Sequence, residues 1–355
     1  MKPSISTVQT VLGAAVIAAA AFAGGAVHAA APIALYSSDG LEPFYKAVLP
    51  AFEKKTGSKV NLISNGSGAL INRMQTEKDS PKADVLVSLP PFTQSAYKLG
   101  LTEPYKSSAD SAIPAGRKDP NGVWTTFMGN YFDFIFNPKL AKAPDTFDDL
   151  LKPEYKDLVS YSNPLTAGDG MAVVILLDKL WGEDKAFAFL AKLEQGVKFH
   201  TKGTGYLDVL VGRGEIHVAN GDFQMDMDDK VHGGMAIQPH FLRPAPGAKP
   251  VTFDLPYTIG LVKGAPNAAG GKALIDYLLS KEVQEKVTDV FALSARTDVQ
   301  PTGPNAKTVM DAVKDVEVVA VDWNHIIDKQ DAWKERWRKE VIGASGKELE
   351  VVKPK

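Results

Sequence analysis

Seven short polar loops, each at one end of an apolar segment, constrain this chain more than any other feature. Five of the seven contain glycine, and several directly precede a helix-like pattern. Glycine lets the backbone come close to a ligand, and the first N–H groups of a helix have no partner within that helix. These loops therefore predict a cleft that holds a small polar molecule. They span residues 36–40, 65–68, 88–91, 166–170, 202–205, 220–222 and 255–258.

The composition indicates a globular protein with about two domains. The chain has 355 residues, of which 45% are hydrophobic and 23% are charged. A net charge of -2 gives no reason to expect nucleic acid or an acidic membrane as a partner. The chain has no cysteine, which excludes disulfides, thiolate catalysis and cysteine-bound metals.

The N-terminus has the pattern of a secretory signal peptide. Lys2 supplies a positive start, residues 11–23 are apolar and rich in alanine, and small residues follow at Val27 and Ala29. The apolar stretch is too short for a good membrane span. We expect cleavage near Ala29 to Ala31 and a mature protein in the periplasm.

The pattern after residue 31 alternates between strand and helix. Residues 33–36, 59–64 and 83–87 are predicted strands. Apolar residues at helical spacing lie between them, over 44–52 and 70–74. This βαβαβ order predicts a parallel α/β sheet.

A second α/β unit follows a long strand-like segment. Residues 124–137 are too long for one strand, so we expect a break near Gly129 and Asn130, where the chain leaves one lobe for another. Residues 251–262 are again extended and return the chain to the first lobe. The last helices, with Trp323, Trp333 and Trp337, are expected to pack on that lobe. The predicted division is 1–30 signal peptide, 31–129 first lobe, 130–256 second lobe, and 257–355 first lobe again.

Helix N-termini with hydroxyl groups predict an anion site. Ser67 lies between two glycines, Thr166 precedes the helix that Asp169 begins, and Thr204 opens a third helix. The free N–H groups of a helix N-terminus favour an anion with several oxygen atoms. Ser67 is also an ordinary helix cap, and that alternative stays open.

Acidic residues in the same loops predict a cationic group on the ligand. Asp39, Asp169 and Asp222 would repel a bare anion, but they would pair with an ammonium; each is also placed to cap a helix. Arginine is absent from all seven loops. A small zwitterion fits both halves. The candidate ligand-binding residues are Ser37, Asp39, Ser67, Ser88, Thr166, Asp169, Thr204, Asp222 and Tyr257.

The loops do not have the patterns of a metal or catalytic site. The acids from Asp222 to Asp229 do not follow the spacing of a calcium loop, and the histidines lack zinc-binding spacing. Ser67 does not lie in the nucleophile motif of hydrolases. We therefore expect no cofactor, no metal and no catalytic residue.

Five segments resemble the periplasmic substrate-binding proteins of ABC transporters, of the hinged type II class, and within it the 2-aminoethylphosphonate-binding proteins. The segments are YSSDGL (36–41), ADVLVSLPPF (83–92), AGDG (167–170), GEIHVANGDFQM (214–225) and LPYTIGLV (255–262). The resemblance covers nearly the whole mature chain. It implies an α/β fold of two lobes, each a mostly parallel sheet flanked by helices, joined by two extended hinge crossings.

The resemblance also implies a function and partners. The protein would bind 2-aminoethylphosphonate as a monomer and deliver it to a permease in the inner membrane, and it would not be an enzyme. Ferric-binding relatives carry paired tyrosines where this chain has Asp222 and Phe223, which argues against iron. The alternatives are a receptor for another small charged solute (a phosphate ester, thiamine, a polyamine or ferric ion) and an exported hydrolase of phosphonates or phosphate esters.

Overall fold

The computed structural model describes residue 1 and residues 31–139, 142–346 and 349–352. Residues 2–30, which hold most of the predicted signal peptide, lie outside the described part of the chain. Within the described ranges, no helix is both long and apolar enough to cross a membrane. The main chain at Ala31 is bound to the folded body, because its carbonyl accepts a hydrogen bond from Asn267 Nδ2 at 2.8 Å.

Fifteen strands are present in the described residues. They are β1 Ile33–Ser37, β2 Val60–Ser64, β3 Val85–Ser88, β4 Thr102–Glu103, β5 Thr125–Gly129, β6 Phe132–Phe136, β7 Val159–Ser162, β8 Val197–Thr201, β9 Val218–Asp222, β10 Gln238–His240, β11 Val251–Thr252, β12 Tyr257–Val262, β13 Leu293–Ser294, β14 Glu317–Val318 and β15 Val351–Val352.

Twelve α-helices accompany them in the same ranges. They are α1 Glu42–Thr56, α2 Ser67–Thr76, α3 Phe92–Lys98, α4 Gly168–Trp181, α5 Glu183–Glu194, α6 Gly205–Gly212, α7 Phe223–Val231, α8 Ala268–Leu278, α9 Lys281–Gln284, α10 Gly303–Val313, α11 Trp323–Arg336 and α12 Gly343–Ser345. A π-helical segment, Trp337–Ile342, joins α11 to α12. Short 3-10 helices lie at Asp110–Ala112, Ala115–Arg117, Phe147–Leu151, Pro153–Tyr155 and Val287–Val290.

The helices form where the apolar pattern and the end signals agree. In α1, the side chains of Phe44, Val48 and Phe52 are buried on one face. The helix ends at Gly57, whose φ of +74° is a conformation that glycine adopts without strain. Helix α4 differs, because every residue from Gly168 to Leu177 is buried. A helix that is apolar on all sides belongs in the interior, and α4 lies there.

The strands form two large sheets, one for each lobe. The first sheet has the order β13–β5–β12–β3–β1–β2, with β4 also paired to β12. The second has the order β10–β6–β9–β7–β8–β15, and β11 pairs with β14 separately. The two-lobe α/β architecture predicted from the sequence is thus confirmed.

The chain passes between the sheets twice. It leaves the first sheet after β5 and enters the second at β6, so the predicted break near Gly129 and Asn130 is confirmed. It comes back between β11 and β12. The two crossings are bound to each other, because Leu255 N donates to Asn130 O at 2.9 Å. Two adjacent extended segments are the usual construction of a hinge.

One detail of the fold prediction was wrong, because the first sheet is not mostly parallel. Strands β1, β2 and β3 are mutually parallel, but β12 runs antiparallel to β3, β4 and β5. The cause is the route of the chain. Strand β12 arrives from the second lobe, so it enters the first sheet at the edge facing that lobe and runs away from it.

The C-terminal segment also differs from the prediction. We expected Trp337 and the residues after it on the first lobe. The structure instead buries Trp337 in the second lobe, where its Nε1 donates to Tyr161 Oη at 2.8 Å. Strand β15 pairs with β8 in the second sheet. The Tyr161 and His200 rings contact the Trp337 ring edge-on, and these contacts hold the segment on the second lobe.

Candidate functional site

The seven polar loops meet where the two lobes face each other. Three of them follow β1, β2 and β3 in the first sheet, and three follow β7, β8 or the end of β9 in the second. The last loop leads into β12, whose Thr258 is in register with Ser88 at the end of β3. Because β12 is antiparallel, its beginning lies at the same edge as the ends of its neighbours. The polar loops therefore line one cleft between the lobes.

The lobes are closed upon each other in this structure. Thr166 O, in the second lobe, accepts hydrogen bonds from Gly68 N at 3.0 Å and Ala69 N at 3.2 Å, in the first turn of α2. Asp39 Oδ2, in the first lobe, accepts from Gly205 N at 3.3 Å, at the start of α6. These bonds have one partner in each lobe, so opening the cleft would break them.

Three acids converge inside the cleft. Burial raises the pKa of Asp39 to about 6, and the charges of Glu42 and Asp222 add to the effect. Burial, followed by the charge of Asp222, raises the pKa of Asp169 well above its ordinary value. The pKa of Asp222 is raised by burial, against the hydrogen bond from Tyr257. A carboxyl group with a raised pKa binds a proton more readily than an ordinary one, and a cation relieves the part of the effect that comes from neighbouring acids.

The three carboxyl groups differ in the hydrogen bonds that they already make. Asp222 is the N-cap of α7, because its Oδ1 accepts from Met225 N at 2.9 Å, and its Oδ2 accepts from Tyr257 Oη at 2.6 Å. Asp169 Oδ2 accepts from Thr204 Oγ1 at 2.7 Å. Asp169 Oδ1 is buried and has no partner among the described residues. Among these three acids, Asp169 is thus the one with a buried carboxyl oxygen left to accept a further hydrogen bond.

A pair of serine hydroxyls lies close to Asp169. Ser38 Oγ and Ser67 Oγ are 2.7 Å apart, and Ser67 Oγ accepts from Leu89 N at 3.3 Å. Ser67 is the first residue of α2. A β-carbon added to Gly168, the residue before Asp169, would lie 3.0 Å from Ser67 Oγ. The serine pair of the first lobe therefore lies against the backbone at Gly168 in the second lobe, next in sequence to Asp169.

The remaining predicted residues are engaged elsewhere. Ser37 Oγ lies 3.0 Å from Tyr45 Oη, so Ser38 is the serine that reaches Ser67. Ser88 Oγ has its nearest acceptor at Leu89 O, 3.5 Å away. The Thr166 hydroxyl donates to Lys202 O at 2.8 Å. The main-chain carbonyl of Thr166, rather than its side chain, contacts α2.

The predicted anion donors at α6 are occupied by the protein's own acids. Thr204 Oγ1 donates to Asp169 Oδ2, and Gly205 N donates to Asp39 Oδ2. Asp39 does not cap α1, because the N-cap residue of this helix is Leu41 and no side chain caps its first N–H groups. The carboxylate instead reaches across the cleft. Sequence reasoning placed these residues in one cleft, but it did not foresee that they would pair with one another.

Three more buried acids lie in the second lobe. They are Asp133 on β6, Asp208 on α6 and Asp226 on α7, each no more than 1% exposed. Burial is the main cause that raises the pKa of each, and neighbouring acids add to it. Across the described part of the chain, no group of three or more histidine or acidic residues is arranged to hold a metal ion.

Two facing α/β lobes, two adjacent crossings and polar loops from both lobes at one cleft are the architecture of a hinged binding protein. The model of the bacterial extracellular solute-binding protein family matches residues 80–329. The chain belongs to this family.

Relatives and solved structures agree with this assignment. The chain is 35% identical over 335 residues to a protein of Salmonella paratyphi A that is provisionally named a 2-aminoethylphosphonate-binding periplasmic protein, covering 92% of this chain and 97% of that protein. It is 29% identical over 160 residues to the thiamine-binding periplasmic protein of Escherichia coli, covering 44% and 48%. The fold matches the periplasmic binding protein AfuA from Actinobacillus pleuropneumoniae, bound to fructose-6-phosphate, with a TM-score of 0.78, 23% identity, and coverage of 88% and 99%. The predicted resemblance to type II periplasmic binding proteins is confirmed.

Proposed function

We propose that this protein is a periplasmic receptor that binds 2-aminoethylphosphonate between its lobes and delivers it to an ABC transporter permease. The observation that carries the proposal is the placement of Asp169. Its buried Oδ1 has no partner among the described residues, and its neighbour Gly168 adjoins the Ser67 hydroxyl. One end of the cleft suits an ammonium, and the other suits an oxyanion. The relative from Salmonella paratyphi A gives independent support for this ligand.

The ammonium would bind next to Asp169. Burial and then repulsion from Asp222 and Asp39 raise the Asp169 pKa. A cation there would stabilise the ionised carboxylate and offset that repulsion. An ammonium has three donors and no acceptor, which matches a site whose side chains are acceptors. Asp222 would contribute charge without a direct bond, because Met225 N and Tyr257 Oη already bond to both of its carboxyl oxygens. Asp39 would contribute charge from across the cleft, where its Oδ2 accepts from Gly205 N.

The phosphonate would bind at the serine pair. One hydroxyl of the Ser38–Ser67 pair donates to the other, so the pair has one hydrogen left to donate to an anion. The amides of Gly68 and Ala69, in the first turn of α2, would stay bonded to Thr166 O and hold the cleft closed. A helix N-terminus also favours negative charge. The ligand would thus span from α2 in the first lobe to α4 in the second, and this would link binding to closure.

A thermal-shift and calorimetry screen tests the ligand. The panel is 2-aminoethylphosphonate, ethylphosphonate, fructose 6-phosphate, thiamine, a polyamine and ferric ion. At about a hundredfold excess over Kd, a ligand that binds only the folded state adds about 2.7 kcal/mol to the unfolding free energy. We expect 2-aminoethylphosphonate to give the largest shift. A shift with thiamine or ferric ion, and none with millimolar 2-aminoethylphosphonate, would overturn the assignment.

Two measurements test the rest of the proposal. Phosphorus NMR after prolonged incubation should recover the ligand intact, whereas release of phosphate would indicate an exported hydrolase. N-terminal sequencing of protein from the periplasmic fraction should begin near Ala29 to Ala31. Recovery of the uncleaved chain in the cytoplasmic fraction alone would overturn the location.

A further inference from the structure

Leu89 extends from the first lobe into the cleft and packs against the second lobe. Its side chain is 2% exposed. A β-carbon added to Gly168, at the start of α4, would lie 2.7 Å from Leu89 Cδ1 and 2.8 Å from Leu89 Cβ. The leucine therefore touches the α4 backbone directly, beside Asp169. Its own N–H donates to Ser67 Oγ, so it also adjoins the serine pair.

Met225 makes the corresponding contact from the second lobe. Its side chain is 3% exposed. A β-carbon added to Gly40 would lie 2.9 Å from Met225 Sδ, and one added to Gly205 would lie 3.4 Å from the same sulfur. Gly40 also has a φ of +93°, which disfavours any other residue there. The thioether thus lies beside Asp39, which precedes Gly40 and bonds to Gly205 N.

The two contacts share one construction. In each, an apolar side chain from one lobe meets a glycine next to a cleft acid in the other lobe. The polar groups described above could bind the two charged ends of a zwitterion, but they offer nothing to the carbon chain between those ends. Apolar side chains favour methylene groups, and a closely packed wall resists an extra one.

We propose that Leu89 and Met225 set the length of the carbon chain that the cleft accepts between the ammonium and the phosphonate. This inference rests on the proposed function. The two side chains approach from opposite lobes, so closure brings both walls to the ligand. On this proposal a two-carbon chain lies against both side chains in the closed cleft, whereas a third carbon would hold the lobes apart or displace one of the side chains.

Calorimetry with 2-aminoethylphosphonate and 3-aminopropylphosphonate tests the proposal. One extra methylene in a packed apolar site changes affinity by about tenfold or more. The wild type should therefore prefer the two-carbon ligand by at least about tenfold. Leu89→Ala and Met225→Ala should each reduce this preference by about tenfold, because truncation gives the third carbon room. Leu89→Val and Met225→Val should produce smaller shifts in the same direction, and they keep the test valid if an alanine variant does not fold.

Matched controls are Leu101→Ala and Met74→Ala, which truncate buried side chains outside the cleft. These variants should lower Tm and leave the preference between the two ligands at its wild-type value. An unchanged preference in all four cleft variants would overturn the role of Leu89 and Met225 and leave the proposed function intact. A wild type that binds neither aminophosphonate would overturn the proposed function, and this inference with it.

Discussion

At the residue scale, the cleft acids have different roles although they are the same residue type. Asp222 uses both carboxyl oxygens within the protein, to cap α7 and to hold Tyr257 across the cleft. Asp169 uses one oxygen and leaves the other without a partner among the described residues. A carboxyl group whose oxygens are already bonded positions the site, and one with a free oxygen can bind a ligand.

Asp169→Asn should therefore weaken binding of 2-aminoethylphosphonate far more than binding of ethylphosphonate. Losing one charge-assisted hydrogen bond costs about 1.5–3 kcal/mol, or roughly tenfold to a hundredfold in affinity. The bare anion should bind as well or better, because its repulsion by the carboxylate is gone. Calorimetry on both ligands measures the two changes.

Asp222→Asn is the matched variant for that experiment. It removes the carboxylate charge to which Tyr257 donates. The closed cleft should then be less stable, and the affinity for both ligands should fall by similar factors. If Asp222→Asn were selective for the amino ligand and Asp169→Asn were not, the assignment of the ammonium to Asp169 would be wrong.

At the scale of elements, the long alternating segments were predictable and the short strands were not. Elements β1 to β3 with α1 and α2 lie where their periodicity indicated, because each buries a regular apolar face. Strands β13, β14 and β15 have two residues each, which is too few to show a period. The direction of β12 depends on the route between lobes, which local sequence does not encode.

The meeting of the site's loops was predictable from the sequence, but the contacts of individual side chains were not. Strand ends at one sheet edge bring the loops together, so their meeting in one cleft follows from the order of elements. Successive residues of a strand point to opposite sides, so a shift of one residue changes the partner of a hydroxyl. The Ser37 hydroxyl contacts Tyr45, whereas the Ser38 hydroxyl contacts Ser67. The pairing of Asp39 with Gly205 depends on contact between two lobes, and no local pattern indicates it.

The C-terminal segment makes an element-scale prediction. Trp337 is fully buried and bonds to Tyr161 in the second lobe. Trp337→Ala should lower the unfolding free energy by about 3–5 kcal/mol, because it removes a large buried side chain. Trp323, which is partly exposed, provides a control, and Trp323→Ala should cost much less. Urea denaturation measures both, and equal losses would show that Trp337 does not anchor the segment.

At the scale of the whole molecule, closure depends on contacts that the two lobes make with each other. The bonds from Gly68, Ala69 and Gly205 cross the cleft, and the crossings near Asn130 and Leu255 allow it to open. Ligand should favour the closed form, so small-angle scattering should give a smaller radius with 2-aminoethylphosphonate than without it. An unchanged radius, with binding shown independently, would contradict hinge closure.

The buried acids predict an unusual dependence of stability on pH. A carboxyl whose pKa is raised by folding stabilises the native state while it is protonated, and this contribution is lost as pH rises through its folded pKa. Asp39 and Asp229 have a pKa of about 6, and those of Asp133, Asp208 and Asp226 are raised as well, in each case mainly by burial. Stability should therefore fall as pH increases from 3.8 to about 6 through Asp39 and Asp229, and the other three acids extend the fall to higher pH.

Other groups act in the opposite direction at lower pH. Hydrogen bonds from Lys329 and Arg336, acting against burial, lower the pKa of Glu183 from 4.5 to about 2, so its contribution is lost progressively as pH falls through that range. Tm should thus be highest in mildly acidic buffer and decline toward pH 8. Asp208→Asn, which replaces one buried acid by a neutral side chain of similar size, should make that decline shallower. A Tm that rises between pH 5 and pH 8 would mean that these acids are ionised in the folded protein and have cationic partners.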